Sequence, residues 1–526
     1  MRRLLPAPLL LAAVLSLAAT DYTADGRRWW SHVEMLAGDA MEGRNTGSEG
    51  HRKAARYVAQ EFERAGLKPA GTSGYLQPVK FVARQLLEDQ SGVWLVRDGK
   101  PAALALGEDA QLSARGDLAS SVDAKAVFAG HSLVVPEAHY DDLAGLDLKG
   151  KIAVFLTGGP DSIPGPLKAH YSSLSERWAA LNKAGAIGMV LIANPRTMDI
   201  PWARSTLARL RPSMTLADPA LAETEGLQFS MTMNPAHAGK LFAGSGHTFT
   251  EILSLADANK PVPRFPLAVS IRARQTLKRW DLESPNVAGI LTGSDARLRG
   301  EYVVLSAHLD HLGIGEPIHG DRIYNGAMDD ASGVASVLEV ARMLKTASPR
   351  RSVVCLAVTG EEKGLLGSKY FSTHPTVPAG AIVADINLDM FLPLHPLHYL
   401  EVQGLGESTL GNQIRAAAAR FGVEVQADKE PNRNLFIRSD QYSFIKQGVP
   451  ALAFKFGYLS GSPEEILHKD WLRNRYHAPS DDLNQPVDKG AAAEFNHIIL
   501  DLAERVANDP QRPQWNRDSF FRRFAR

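Results

Sequence analysis

Residues 301–310, EYVVLSAHLD, decide the fold class, because a nearly continuous apolar run ends there in His308 and Asp310. Such runs are typical of parallel strands buried on both faces of a sheet. Residues 333–344, GVASVLEVARML, carry apolar side chains at helical spacing. The alternation of strand and helix predicts an α/β fold with a doubly wound, mostly parallel sheet. Similar apolar runs recur at 351–358 (RSVVCLAV), 381–388 (AIVADINL) and 450–456 (PALAFKF).

The chain of 526 residues is too long for one compact core, so more than one domain is expected. Residues 118–262 have short β-like runs and many Gly and Pro turns, which predicts a β-rich inserted domain. The α/β domain then consists of residues 21–117 and 263–510, with the candidate metal site in the second part. A basic, aromatic tail, 511–526, is expected to pack its rings on the domain rather than touch a membrane.

Residues 1–20, MRRLLPAPLLLAAVLSLAAT, have the composition of a secretory signal peptide. The apolar part is shorter than the roughly 20 residues that a membrane-spanning helix needs, so cleavage near Ala18 to Thr20 is favoured over an uncleaved anchor. The mature protein is therefore expected to be exported, periplasmic or extracellular, without a stable membrane span.

Charge and cysteine content exclude several classes. Positive and negative side chains are balanced at 58 each, which argues against a nucleic-acid partner. Cys355 is the only cysteine, so no intramolecular disulfide is possible, and its apolar surroundings favour a small core residue. The scattered His131, His139 and His170 of the insert are interpreted as ordinary histidines rather than another metal site.

Candidate metal ligands follow the predicted strands. Ligands of open α/β sheets bind beyond the carboxyl ends of the strands, so side chains that follow different strands are expected to meet. Imidazoles and carboxylates without cysteine suit Zn²⁺ or a similar divalent ion, and carboxylates can bridge two ions roughly 3.5 to 4 Å apart. The candidates are His308, Asp310, Asp329, Asp330, Glu361, Glu362, Asp389 and His477.

Local geometry suggests roles for some of these residues. In the H-x-D pattern at a strand end, the first and third residues point the same way, so the Asp310 carboxylate is expected to accept a ring N–H of His308. Adjacent glutamates diverge in extended backbone, so one of Glu361 and Glu362 can bind metal while the other acts as general base.

The adjacent aspartates Asp329 and Asp330 precede the predicted helix 333–344. Aspartate at a helix N-terminus accepts backbone N–H groups and suits the helix dipole. Taken alone, the pair is consistent with capping and with metal binding.

Five motifs stand in a fixed order: HLDHLG, NGAMDDASG, TGEEKGLLGS, NLDM and RYHAPSDD. With them the chain resembles the M28 family of dinuclear zinc aminopeptidases, specifically exported members with an inserted protease-associated (PA) domain. The segment MEGRNTGSEGHRKAARYVAQEFERAGLKPAG, 41–71, is similar to the family's lead-in. The segments YDDLAGLDLKGKIAVFL, 140–156, and NKAGAIGMVLIANP, 182–195, are similar to the PA domain.

The resemblance implies two zinc ions per chain and removal of N-terminal residues from peptides with a free N-terminus. A water that bridges the ions would lose its proton to Glu361. Asp330 is then left to cap or support the helix. The implied site residues are His308 and Asp389 on one zinc, Glu362 and His477 on the other, Asp329 bridging both, Glu361 as general base and Asp310 as the orienting acid.

Two positions depart from the family pattern. Residues 439–441 read Ser-Asp-Gln where the family often has Ser-Asp-His, and Phe436 stands where some members carry a tyrosine that contacts the substrate carbonyl. Polarisation of that carbonyl then falls to zinc or to another donor such as Tyr442 or Tyr458.

Other functions are compatible with the same motifs. A zinc carboxypeptidase or glutaminyl cyclase could use this scaffold, and a carboxypeptidase would need a basic pocket, for which Arg433, Arg438 and Arg475 are candidates. A non-catalytic binding protein on a peptidase fold is disfavoured because the ligand set and the base are both present. The insert is expected to cover the cleft and limit substrate size.

Overall fold

The computed structural model describes residues 21–198, 200–433 and 435–525, so the predicted signal peptide lies outside the described residues. Two large sheets organise the chain. None of the helices in the described ranges is long and apolar enough to cross a membrane. The α-helices are Thr23–Leu36, Glu49–Arg64, Gly165–Ser172, Leu174–Lys183, Trp202–Ser205, Gly239–Phe242, Phe249–Asp257, Ser332–Leu344, Leu366–Thr373, Leu410–Ala419, Gln441–Ile445, Pro463–Asn474 and Lys489–Asn508.

The first sheet contains all four predicted apolar strands. They are parallel neighbours in its centre, while most flanking pairs are antiparallel, so the sheet as a whole is mixed. The order across the sheet is Ser213–Leu216, Leu76–Leu86, Leu277–Leu291, Ser352–Val358, Tyr302–His308, Ile382–Asn387, Ala451–Phe456, Tyr399–Gln403 and Glu424–Ala427, with Lys68–Pro69 paired to Leu277–Leu291.

Helices cover both faces of this sheet, which explains why its central strands are mostly apolar. Val303 and Cys355 face a core shared with helix Ser332–Leu344, and Val304 faces a second core that includes Phe444. Alternate residues of one strand thus enter different cores. Burial raises the pKa of the Cys355 thiol to about 12, in keeping with the core role predicted for this residue.

The second sheet has eight strands and extends beyond the predicted insert at both ends. Its first and last strands in the chain are Gly92–Arg97 and Phe265–Arg274, whereas Ser213–Leu216, inside the predicted insert, joins the first sheet. Short half-buried strands alternate in the same way in either sheet, so composition alone does not assign them. The spatial order is Lys100–Leu104, Gly92–Arg97, Phe265–Arg274, Ser121–Phe128, Ile152–Leu156, Gly188–Ile192, Phe229–Met233 and Ala110–Leu112.

Two small hairpins and the tail complete the fold. The hairpins are Gly313–Ile318 with Asp321–Tyr324, and Val134–Val135 with Tyr140–Asp141. The aromatic tail packs on the domain as expected, because Phe521 is buried in a cluster with other aromatic rings.

Candidate metal centre

The predicted ligands come together at the carboxyl end of the central strands. His308 ends strand Tyr302–His308, and Glu361 and Asp389 follow the two neighbouring parallel strands. Six of the seven predicted site residues line one cavity of about 520 Å³; Asp310 lies behind its wall. The cavity residues are His308, Asp329, Glu361, Glu362, Asp389 and His477.

One group of ligand atoms surrounds His308. Its Nε2 lies 3.1 Å from Asp329 Oδ1 and 3.5 Å from Asp389 Oδ1. These three atoms are close enough to one another to hold a single ion. This is the trio that the resemblance places on one zinc.

A second group lies on the other side of Asp329. His477 Nε2 is 3.3 Å from Asp329 Oδ2 and 3.3 Å from Glu362 Oε2. Asp329 thus offers one carboxylate oxygen to each group, which is the arrangement that a bridging ligand requires.

His311, which was not predicted as a ligand, also belongs to the second group. Its Nδ1 lies 2.7 Å from Glu362 Oε1 and 3.8 Å from Asp329 Oδ2. The second histidine of HLDHLG could have indicated this role, because it follows His308 by three residues at the strand end. His311 and His477 both face the same carboxylates.

The chemistry of this site fits divalent cations. Several buried ligand atoms form no hydrogen bond of proper geometry with any described residue, although some of them lie within ion-pair distance of another ligand atom: Asp329 Oδ2, Glu362 Oε1, Asp389 Oδ1 and both ring nitrogens of His311. Buried carboxylates so close together repel one another unless a positive charge lies between them. Nitrogen and oxygen ligands without sulfur suit zinc, and two ions can share the Asp329 carboxylate.

The pKa directions show the same demand for positive charge. Burial lowers the pKa of His308, but Glu361, Asp329 and Asp389 outweigh it and raise the pKa well above its ordinary value. For His477, Glu362 and Asp329 likewise overcome burial and raise the pKa to about 10. Without a metal, protons on the imidazoles supply the charge that the carboxylates attract.

Glu361 is placed differently from its neighbour Glu362. Its carboxylate faces the cavity and forms no hydrogen bond or ion pair with any residue in the described ranges. Burial and the nearby Glu362 raise its pKa well above the usual range, although His308 opposes this shift. A carboxylate with a raised pKa is better able to accept a proton near neutral pH.

Asp310 contacts His308 as predicted, but through its backbone carbonyl, so the predicted contact through its carboxylate was wrong. The ring Nδ1 of His308 lies 3.0 Å from the backbone carbonyl of Asp310, not from its carboxylate. The strand ends at His308, so the alternation assumed for residue 310 no longer holds. Since a carbonyl only accepts hydrogen bonds, Nδ1 carries the proton and Nε2 is left for a metal.

The Asp310 carboxylate instead holds the backbone of Glu361, the predicted general base. Its Oδ1 accepts the backbone N–H of Glu361 at 3.1 Å, and its Oδ2 accepts the Thr46 hydroxyl at 2.8 Å. Thr46 belongs to the N-terminal segment that resembles the family's lead-in. Asp310 therefore positions both His308 and Glu361.

Asp330 supports the backbone around the site. One oxygen accepts the N–H groups of Gly333, in the first turn of helix Ser332–Leu344, and of Met390 at 3.1 and 3.2 Å. The other accepts the N–H of His308 at 3.2 Å. This carboxylate thus joins a helix start to two strand ends.

Phe436 and Tyr442 do not face the cavity. The Phe436 ring packs edge-on against Phe521 at a centroid distance of 5.3 Å. The Tyr442 hydroxyl lies 2.7 Å from Nδ1 of His170, which belongs to the predicted insert. Neither residue is placed to contact a substrate carbonyl.

Tyr458 and Tyr476 both line the cavity, and Tyr476 was not predicted. The Tyr476 ring lies 4.0 Å from that of His477. Burial together with Asp329 and Glu362 raises the pKa of Tyr476 well above its ordinary value, so its hydroxyl stays protonated as a donor. Its position next to His477 in RYHAPSDD could have indicated it.

Gln441 completes a polar network beside the site. The Asn387 amide donates to Gln441 Oε1 at 2.7 Å and to the Ser439 hydroxyl at 3.0 Å. Gln441 in turn donates to the carbonyl of Phe436 at 2.8 Å. The residue that departs from the family pattern therefore holds the loop that leads to the cavity.

The predicted basic residues divide into two sets. Arg433 and Arg438 line the cavity, whereas Arg475 donates to backbone carbonyls of Ser480 and Asn484 away from it.

Parts of the chain are similar to proteins named zinc metalloprotease and aminopeptidase. Residues 286–503, which include all the predicted site residues, match the model of peptidase family M28. A probable zinc metalloprotease of Pyricularia oryzae is 41% identical over 221 residues, 39% of this chain and 43% of that protein. The aminopeptidase YwaD of Bacillus subtilis is 23% identical over 239 residues, 44% of this chain and 46% of that protein.

The chain thus spans less than half the length of these two curated relatives. An aminopeptidase from Aneurinibacillus sp. strain AM-1 shares the fold, with a TM-score of 0.57 and 19% identity over 93% of this chain and 95% of that one. Through residues 286–503, the chain is thus similar to peptidase family M28.

Proposed function

We propose that the chain is an exported zinc aminopeptidase with two zinc ions per chain. The observation that carries the proposal is the position of Asp329, whose two oxygens face two separate groups of ligands. The similarity to a protein named zinc metalloprotease and to proteins named aminopeptidase supports the metal and the substrate class. Export rests on the composition of residues 1–20.

One zinc would be held by His308 and Asp389, and the other by Glu362 with His477, His311 or both; Asp329 would be shared. When bound, zinc supplies Lewis acidity to the scissile carbonyl and to the attacking water.

The side chains around the metals perform the proton transfers. Glu361 takes a proton from the attacking water, whose oxygen adds to the carbonyl carbon of the first peptide bond. As the C–N bond breaks, Glu361 returns that proton to the leaving amine. Tyr476 donates a hydrogen bond to the carbonyl oxygen, where negative charge develops in the transition state.

The cavity also suits a free α-amino group. In the zinc-loaded site Asp329, Glu362 and Asp389 are occupied as ligands, which leaves Glu361 as the carboxylate that attracts the ammonium group of the substrate. Residues of the predicted insert, among them Ala208, Arg211 and Met214, form part of the cavity wall. We infer that the PA-like insert limits the length of the substrate; equal rates on dipeptides and on peptides of eight residues would contradict this.

The proposal is tested with aminoacyl p-nitroanilides and their N-acetylated forms, before and after chelation and zinc add-back. We expect zinc-dependent cleavage of the free-amine substrates alone. Cleavage of N-acetylated peptides with a free C-terminus would instead favour the carboxypeptidase, for which Arg433 and Arg438 offer a basic wall. Bound zinc without turnover of any peptide would favour a cyclase or a binding protein.

A further inference from the structure

The wall of the cavity beyond the metal centre is basic. Its acids are Glu401 and Glu430, and the second of these is paired with Arg433 at 2.9 Å. Positive side chains are therefore in excess, although the opposite side of the same cavity is acidic. The basic residues of this wall are Lys429, Arg433, Arg438 and Lys455.

Two antiparallel strands form the floor of this basic part. In the register of Tyr399–Gln403 and Ala451–Phe456, Glu401 lies opposite Lys455 and Gln403 lies opposite Ala453. Alternate residues of a strand point to one face, so these four side chains share a surface, and all four line the cavity. Lys455 is close enough to Asp389 for their charges to interact, so the floor continues directly into the metal centre.

The floor presents donors that have no acceptor. Gln403 is only 3% exposed, yet its side-chain NH₂ group has no hydrogen-bond partner among the described residues. The Lys455 ammonium likewise forms no hydrogen bond or ion pair within the described ranges. A buried donor without a partner is destabilising, so such a group indicates an oxygen ligand.

The other basic residues of the wall are already engaged. Lys429 lies over the Tyr458 ring at 4.0 Å, and Arg433 is held by Glu430. Burial and Asp428 raise the pKa of Glu401 to about 7, so near neutral pH this acid only partly balances Lys455.

We propose that this floor binds a carboxylate of the substrate through Lys455 and Gln403, so that the enzyme favours peptides with a carboxylate close to the scissile bond. An acidic side chain of the first residue and the C-terminal carboxylate of a dipeptide present the same two oxygens. Such a group suits one ammonium and one amide donor. This inference rests on the proposed function, since it names the substrate class of the same site.

Two pairs of substrates separate the sources of the carboxylate. The first pair is Glu- and Gln-p-nitroanilide, which differ only in the side chain. The second is Leu-Gly and Leu-Gly-amide, which differ only at the C-terminus. We expect kcat/KM to favour the acid over its amide about tenfold or more in one pair, the range of a charge-assisted hydrogen bond. A ratio below threefold in both pairs would overturn the inference.

The variant Lys455→Met retains most of the length of the side chain and removes its charge. In this variant we expect the ratio of kcat/KM for the preferred acid to kcat/KM for its amide to fall to about one. The ratio should persist in Lys469→Met, a control on the exposed face of helix Pro463–Asn474. Because the readout is a ratio within one preparation, partial misfolding does not imitate it. An unchanged ratio in Lys455→Met would overturn the assignment.

Failure of the proposed function gives a different result. Cleavage of Leu-p-nitroanilide with no preference for acids contradicts only the carboxylate site. If no peptide is cleaved, the aminopeptidase assignment fails, and titration of glutarate into the zinc-loaded protein tests the floor alone. Binding that Lys455→Met weakens at least tenfold would support the site, and equal binding by both proteins would overturn it.

Discussion

The carboxylate of Asp330 should matter to folding and that of Asp329 to metal binding, although the two residues are adjacent. Asp330 accepts three buried backbone N–H groups, from His308, Gly333 and Met390, at 3.1 to 3.2 Å. In Asp330→Ala these donors lose their acceptor. At about 1–3 kcal/mol for each buried unpaired group, and with non-additivity, we expect a loss of roughly 3–6 kcal/mol. That is a large part of the 5 to 15 kcal/mol or so that stabilises a typical domain.

Asp329→Ala is the matched control. In the described structure its carboxylate contacts the rings of His308, His311 and His477 rather than backbone N–H groups. Its removal relieves repulsion from Glu362 but also removes the attraction to these histidines, so the metal-free protein should lose less stability than Asp330→Ala does. Zinc should no longer stabilise this variant.

The assay is urea unfolding of the metal-free proteins followed by tryptophan fluorescence, repeated with zinc. An unfolding free energy of Asp330→Ala within about 1 kcal/mol of the wild-type value would contradict this role of Asp330, because that margin is well below the cost of three unpaired groups. That role would also be contradicted if Asp329→Ala lost as much metal-free stability as Asp330→Ala.

Three further results follow from the site and the core. Glu361→Gln should lower kcat by about 10²–10⁴-fold with an unchanged zinc content, since it removes only the base; wild-type turnover would contradict that role. Phe521→Ala should cost about 3–5 kcal/mol of unfolding free energy, because this ring is 1% exposed and packs on Phe436; an unchanged denaturation midpoint would count against it. Burial lowers the pKa of His51 to about 3, from about 6.5 in the unfolded chain, so the stability that neutral His51 provides is complete above pH 6.5. It is lost as pH falls, by about 2 kcal/mol at pH 5, and urea midpoints at pH 7.5 and 5 should differ less in His51→Asn than in the wild type.

The central strands and the helix between them were predictable because burial alone determines their sequence pattern. Strands Tyr302–His308 and Ser352–Val358 are buried on both faces, so most positions are apolar. Helix Ser332–Leu344 buries most of its surface, and its apolar stripe fixes its type. The metal ligands were predictable for a related reason, since parallel strands deliver their next residues to one edge.

Long-range pairing and the direction of loop side chains were not predictable in this way. The strand Ser213–Leu216 joins the first sheet from within the second, and nothing in its four residues specifies that partner. Tyr476 lines the cavity and His311 contacts Glu362 from loops, where side chains follow no fixed alternation. For the same reason His308 contacts the backbone carbonyl of Asp310 and not its carboxylate, since the chain turns as soon as the strand ends.

The most direct test of the central claim is anomalous diffraction at the zinc edge from crystals of the zinc-loaded protein. We expect two anomalous-difference peaks, one on each side of the Asp329 carboxylate. The first should lie beside His308 and Asp389, and the second beside Glu362 with His477, His311 or both. One peak alone, or peaks that do not share Asp329, would contradict a dinuclear centre built on this residue.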